Sequence, residues 1–227
     1  MKKIILFLVC APLIVGCGAW SNLTNGALIG SGAGAALGAG IGYLIGKDGK
    51  SAAIGAAIGT AAGAGTGALI GKKMDKKAEE LAALQNAEIE TVEDVNGFKG
   101  IKVTFNGGIL FDTNKAELSA SAKAELQEFA NKMADMEETN ITIYGHTDNT
   151  GTYEVNQKVS NNRADAVEKY LKKCGIATSR MTAQGLAYDF PIADNETVEG
   201  RAQNRRVEIY ITASEEMIEA ANNGTLE

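Results

Sequence analysis

The chain holds 227 residues, enough for one or two domains, and its 45% hydrophobic content permits a buried core. Twenty-seven glycines against 2 prolines mark an unusual composition, and a formal net charge of −6 disfavours nucleic acid as a partner. With a single histidine, His146, and no serine or cysteine in a nucleophile elbow, the sequence assigns no catalytic residue, metal or cofactor and reads as a binding protein, not an enzyme.

Met1-Lys2-Lys3 followed by the apolar residues 4–9 reads as an export leader, too short to cross a bilayer. It closes on Ile14-Val15-Gly16-Cys17, which resembles a bacterial lipoprotein cleavage box. That resemblance makes residues 1–16 the signal peptide and Cys17 the acylated first residue, with 17–25 as a lipidated linker. Losing Lys2 and Lys3 leaves 20 basic against 28 acidic residues, a net charge of −8. Gly18 is not the aspartate that retains enterobacterial lipoproteins in the inner membrane, so the resemblance implies the outer membrane and its lipid as partner. Cys10 departs with the leader and Cys17 is occupied, so Cys174 has no intrachain disulfide partner.

Residues 26–46 and 51–71 form an internal repeat with a period of 25, joined by Lys47-Asp48-Gly49-Lys50. Each run has 21 uncharged residues, about 31 Å as a helix, which matches a bilayer core. Glycine recurs every fourth position, from Gly26 to Gly46 and from Gly55 to Gly71, making a smooth helix face that lets backbones approach closely. Each interior glycine weakens a helix by about 1 kcal/mol relative to alanine, so packing or a membrane must compensate. The expectation is a glycine-zipper helical hairpin over 26–71, with homo-oligomer contacts open to its faces; a flexible Gly/Ala spacer is the alternative.

Residues 72–90 read as a helical stalk rich in Lys, Glu, Ala and Leu, able to carry the C-terminal region away from the membrane. Residues 91–95 and 98–105, joined by Asn96-Gly97, read as a hairpin, and Phe111 as the end of a further short strand. Ser119 or Ser121 caps a helix whose apolar face holds Ala122, Leu126, Phe129, Ala130 and Met133. A strand at 140–146, a helix at 154–173, strands near 181–185 and 206–212, and a fraying acidic tail at 213–227 complete the pattern. Strands alternating with helices, apolar on one side, predict an α/β two-layer sandwich of βαβαβ order.

Within it, Asp148 lies in a Gly-bounded loop at the end of a strand, opposite a helix carrying Asn156 and Arg163. Arg163 stands in an apolar row between Val159 and Val167, where a guanidinium seeks an anionic partner. A small zwitterion fits between Asp148 and Arg163; a structural salt bridge between the two fits the same spacing. His146 is read as fixing its loop by a hydrogen bond.

FDTNKAEL at 111–118, GHTDNTG at 145–151, NQKVSNNRA at 156–164 and EGRAQNRRVEI at 199–209 resemble, in order, the signatures of the OmpA-like peptidoglycan-binding domain. The resemblance covers roughly residues 98–212 within a domain read as 91–212, gives it the OmpA C-terminal fold, and implies that Asp148 and Arg163 hold the diaminopimelate of the peptidoglycan stem peptide. Val159 stands where the family has leucine. Asn114, Thr147, Asn149 and Asn156 follow as secondary contacts by position, though turn-forming roles suit them equally. Asn204, Arg205 and Arg206 are read as structural, because no spacing sets them beside Asp148.

The function this implies is an outer-membrane lipoprotein with its C-terminal domain in the periplasm, tethering the membrane to peptidoglycan. A different class, a membrane-perturbing or channel-forming oligomer built on the hairpin, is the alternative, separable by bilayer conductance with and without 26–71.

Overall fold

The computed structural model describes residues 64–94, 96–111 and 116–226. The residues read as signal peptide and lipidated linker, Cys17 with them, the whole first glycine run and most of the second lie outside the described residues. So does Asn114.

The described chain runs α1 (Ala64–Leu81), β1 (Ala87–Glu93), β2 (Lys99–Asn106), a one-turn α2 (Gly107–Leu110), α3 (Ala120–Lys132) and β3 (Thr139–Gly145). It continues through α4 (Tyr153–Lys173), β4 (Met181–Gly185), α5 (Val198–Asn204), β5 (Arg206–Ala213) and α6 (Glu215–Asn222). The sheet order is β1-β2-β5-β3-β4, with only β3 and β4 parallel. Alternation sets the faces: Ile101, Val103 and Phe105 of β2, Ile141 and Ile143 of β3, and Val207, Ile209 and Ile211 of β5 are buried together with Leu126 and Phe129 of α3 and Val167 and Leu171 of α4. This is the expected α/β sandwich, with β5 inserted between β2 and β3.

Ser119, not Ser121, caps α3, accepting from the Ala122 N–H at 3.0 Å. Three expectations are corrected. Residues 107–110 form a helical turn capped by Asn106, and Phe111 only bridges to Leu118, so no further strand ends there. Residues 87–90 belong to β1, not to a stalk.

The third concerns α1 and α6. Ile70, Met74 and Leu81 of α1 are fully buried, and Lys77 is nearly so, because the stripe at three- and four-residue spacing packs against α6, β1, β2 and α3. Met217 and Ala221 of α6 are buried as well. The helix read as a solvated stalk is therefore part of the domain's core, and the tail read as fraying is docked beneath it.

Candidate functional site

The loop after β3 is held by its main chain. The His146 N–H donates to the Arg206 carbonyl at 3.0 Å and the Thr147 N–H to the Ala187 carbonyl at 2.8 Å, so Asp148 emerges between β5 and the loop after β4. Asp148 Oδ1 accepts from the Thr150 N–H at 2.9 Å, a local turn that fixes the carboxylate. Opposite it, α4 is capped by Thr152 and buries Asn156, Ser160 and Arg163 along one stripe.

Two glycines set the spacing. A Cβ on Gly145 would strike the Ser160 carbonyl, and one on Gly185 the Asn161 backbone nitrogen and the Ser160 hydroxyl, so the ends of β3 and β4 touch α4 directly. Polar clamps complete the seam: Gln157 donates to the Gly185 carbonyl at 2.7 Å, and Ser160 accepts from the Ala187 N–H at 3.0 Å.

Between loop and helix lies a cleft of about 540 Å³ whose wall includes Phe111, Thr147, Asp148, Asn156, Arg163 and Arg205. The Arg163 guanidinium is buried, its carbon 5.2 Å from the centroid of the Phe111 ring, a cation–π contact. Burial lowers its pKa, as does the like charge of Arg205, while Asp148 opposes both. Asp148 Oδ2 accepts from Arg205 Nη1 at 2.6 Å. Burial works against ionising Asp148, but the Arg205 and Thr150 hydrogen bonds outweigh it and hold the carboxyl below its usual range. The Asp148 carboxylate is thus hydrogen-bonded to Arg205 and also acts electrostatically on the buried Arg163.

Thr147, Asp148, Asn156 and Arg163 are brought together in the cleft wall. The Thr147 hydroxyl is buried there with no hydrogen-bond partner. Asn156 Nδ2 donates to the Thr150 and Thr152 carbonyls at 2.9 and 3.2 Å, so its amide nitrogen serves the turn. Asn149 is not part of the cleft wall; it is exposed, and its N–H donates to Asn195 Oδ1 at 3.3 Å.

The structural role expected of Arg205 is corrected: it pairs with Asp148. The reason is the antiparallel pairing of β3 with β5, which sets Gly145 opposite Val207 and so brings residues 205–206 alongside the Asp148 loop. Asn204 does tie the segment after Pro191, accepting from the Ile192 and Ala193 N–H groups at 2.8 and 3.0 Å. Because the Arg205 side chain is 40% exposed, Arg205→Ala is expected to cost under about 1 kcal/mol of stability in a urea titration. Its effect falls on the cleft, where Asp148 loses the guanidinium hydrogen-bonded to it.

Behind the loop, on the sheet face away from α3 and α4, Glu208 accepts from Arg206 Nε at 2.7 Å and from the Tyr210 hydroxyl at 3.0 Å. His146 is buried beside it with Nε2 3.5 Å from Glu208 Oε2, too long for a good hydrogen bond, so the main chain and not the ring fixes the loop. Burial opposes ionisation of Glu208, yet the Arg206 guanidinium hydrogen-bonded to it keeps it anionic well below the usual carboxylate range. Burial likewise keeps His146 neutral, lowering its pKa, with Glu208 opposing and Arg206 and Lys102 assisting.

A base whose folded pKa is lowered takes up its proton first in the unfolded state. Its stabilisation is complete above the unfolded value of about 6.5 and is lost as pH falls below it. Urea midpoints are expected to drop between pH 7 and pH 5, and His146→Phe to flatten that drop; an unchanged slope in the variant would show that His146 is not its source.

The fold is a five-stranded α/β sandwich with a charged, partly shielded cleft between a strand-end loop and the facing helix. The chain belongs to the OmpA family. The OmpA family model matches residues 110–205, and a YMGG-like Gly-zipper model matches residues 1–75. The chain is 31% identical over 136 residues to the outer-membrane lipoprotein YfiB of Pseudomonas aeruginosa, covering 60% of this chain and 78% of that one. It is 41% identical over 111 residues to outer membrane protein Omp38 of Acinetobacter baumannii (48% and 31% covered). Identity to the peptidoglycan-binding protein ArfA of Mycobacterium bovis is 39% over 111 residues (49% and 34% covered). The chain thus spans about a third of the length of Omp38 and ArfA. Among solved structures, the cell wall anchor of the T6SS from Pseudomonas aeruginosa superposes with a TM-score of 0.52 at 28% identity, covering 62% of this chain and 97% of that one. None of these names denotes an enzyme.

Proposed function

We propose that the domain binds peptidoglycan non-covalently through the diaminopimelate of the stem peptide, and that acyl chains on Cys17 hold the chain in the outer membrane, so that it tethers that membrane to the cell wall. The observation that carries this reading is the cleft, whose wall brings the Asp148 carboxylate together with the Arg163 and Arg205 guanidiniums. The free end of diaminopimelate bears one carboxylate and one ammonium. Arg163 takes the carboxylate through parallel hydrogen bonds, and Asp148 turns part of its charge to the ammonium. Relatives named as an outer-membrane lipoprotein and as a peptidoglycan-binding protein support the reading. Many anchored copies facing one polymer give avidity, so a single contact need only be modest. The polymer lies in the periplasm, and the domain with it.

The test is calorimetric titration of the soluble chain with two stem tetrapeptides, one carrying meso-diaminopimelate and one carrying lysine, which lacks the distal carboxylate. Saturable binding of the first and at least about tenfold weaker binding of the second is expected, the loss of one charged hydrogen-bonded contact. Equal binding removes the diaminopimelate assignment, and no binding of either removes the peptidoglycan reading.

A further inference from the structure

We infer that the second glycine-rich run, 51–71, does not cross the bilayer, because the folded domain already holds its last eight residues. Those residues are the first two turns of α1, and α1 continues without a break through Lys72 and Lys73 to Leu81. The boundary expected at Gly71 between membrane hairpin and stalk is not a structural boundary.

The docking is continuous on both sides of that point. Thr66, Ile70, Met74, Lys77 and Leu81 recur every three or four residues and all are buried. Thr66 Oγ1 donates to Asn222 Oδ1 at 2.6 Å, fastening the first turn to α6. Further along the helix, Lys77 donates to Asp135 at 2.6 Å and to the Lys132 carbonyl at 2.7 Å, and also pairs with Glu80. Lys99 grips both oxygens of Asp75 at 2.7 and 2.8 Å. Drawing 64–71 into lipid would break the Thr66 bond to α6, strip Ile70 from the core, and pull on a buried lysine whose partners sit in the domain. An added Cβ at Gly65, Gly67 or Gly71 would meet nothing within 4 Å; Gly65 is exposed and Gly67 half-buried, whereas Gly71 is buried with the docked stripe.

Length points the same way. Subtracting 64–71 from the run leaves 13 residues, about 20 Å as a helix against a hydrocarbon core of about 30 Å. The domain therefore begins inside the glycine-zipper segment, whose family model extends to residue 75, and no stalk separates the two. This concerns how the domain is held and stands apart from what its cleft binds.

The experiment uses the full lipidated chain in phospholipid vesicles, with Cys174→Ser as parent. Thr66→Cys and Asn222→Cys are added, and a short membrane-permeant thiol cross-linker is applied. The 66–222 link is expected at yields within twofold in vesicles and in detergent. A tenfold lower yield in vesicles than in detergent would overturn the inference. If the double variant fails to fold, Leu69→Cys decides instead, since Leu69 is 41% exposed on α1. Vesicles with the domain outside should react there with an impermeant maleimide, and protection that detergent relieves would overturn the inference. Sacculus binding, read in parallel, reports on the cleft alone.

Discussion

Asp148→Ala and Arg163→Ala are each expected to lose retention on purified sacculi by about thirtyfold or more. Removing one partner of a shielded, hydrogen-bonded charge contact costs about 2–5 kcal/mol in binding, and each 1.4 kcal/mol is tenfold. Asp148→Ala also removes the carboxylate proposed to meet the ammonium end of a zwitterion, while the Arg163 and Arg205 guanidiniums stay in the cleft wall. Arg163→Ala removes the group proposed to clamp the carboxylate and empties the space over Phe111. Neither change should unfold the domain. Asp148 sits in a loop held by main-chain bonds, and its partner Arg205 is exposed enough to reach water. Pull-down with sacculi, beside thermal melts of the same variants, gives the answer. Wild-type retention by both variants would remove the cleft as the binding site.

Arg206→Ala is expected to have the opposite profile, a large loss of stability with the cleft residues untouched. Arg206 is buried, with Nε 2.7 Å from Glu208 and further bonds to the Phe190 and Asn204 carbonyls at 3.1 and 3.3 Å. Truncating it leaves the Glu208 carboxylate buried beside a neutral His146 and a tyrosine hydroxyl. Breaking a buried pair in this way costs about 3–5 kcal/mol, a large part of the roughly 5–15 kcal/mol that holds a domain of this size together. Glu208→Gln in the Arg206→Ala background is expected to recover part of the loss, because an amide is cheaper to bury than an unpaired charge. Urea unfolding of the two single variants and the double measures the coupling. A loss below about 1 kcal/mol in Arg206→Ala would mean that water replaces the guanidinium at little cost.

The two predictions separate because the same strand end performs two tasks. Arg205 points into the cleft and Arg206, one residue on, to the far face of the sheet, as strand alternation requires. The motif at 199–209 contains both, and nothing in its spelling tells them apart. Distinguishing them needs the register of β5 against β3, a pairing across some 65 positions of sequence that no local periodicity encodes. The same limit hides the role of α1. Its stripe is visible at helical spacing, but Lys77 interrupts it in the sequence, and its cover, α6, comes some 150 residues later. Read locally, the stripe resembles a solvated stalk.

Conversely, where the chemistry is carried by neighbours in sequence, the reading needs no tertiary structure. Alternation at 140–144 and 206–212 and the apolar period of 155–171 define β3, β5 and α4 by themselves, since a pleat and a helix turn impose their periods residue by residue. The order of strands and helices is likewise enough for a two-layer α/β sandwich. Strand order, the insertion of β5 between β2 and β3, the pairing of Asp148 with Arg205, and the capture of Ala64–Gly71 by the domain are contacts between distant segments. They are decided by which buried faces fit when the whole chain packs, a condition that becomes readable only in the folded molecule.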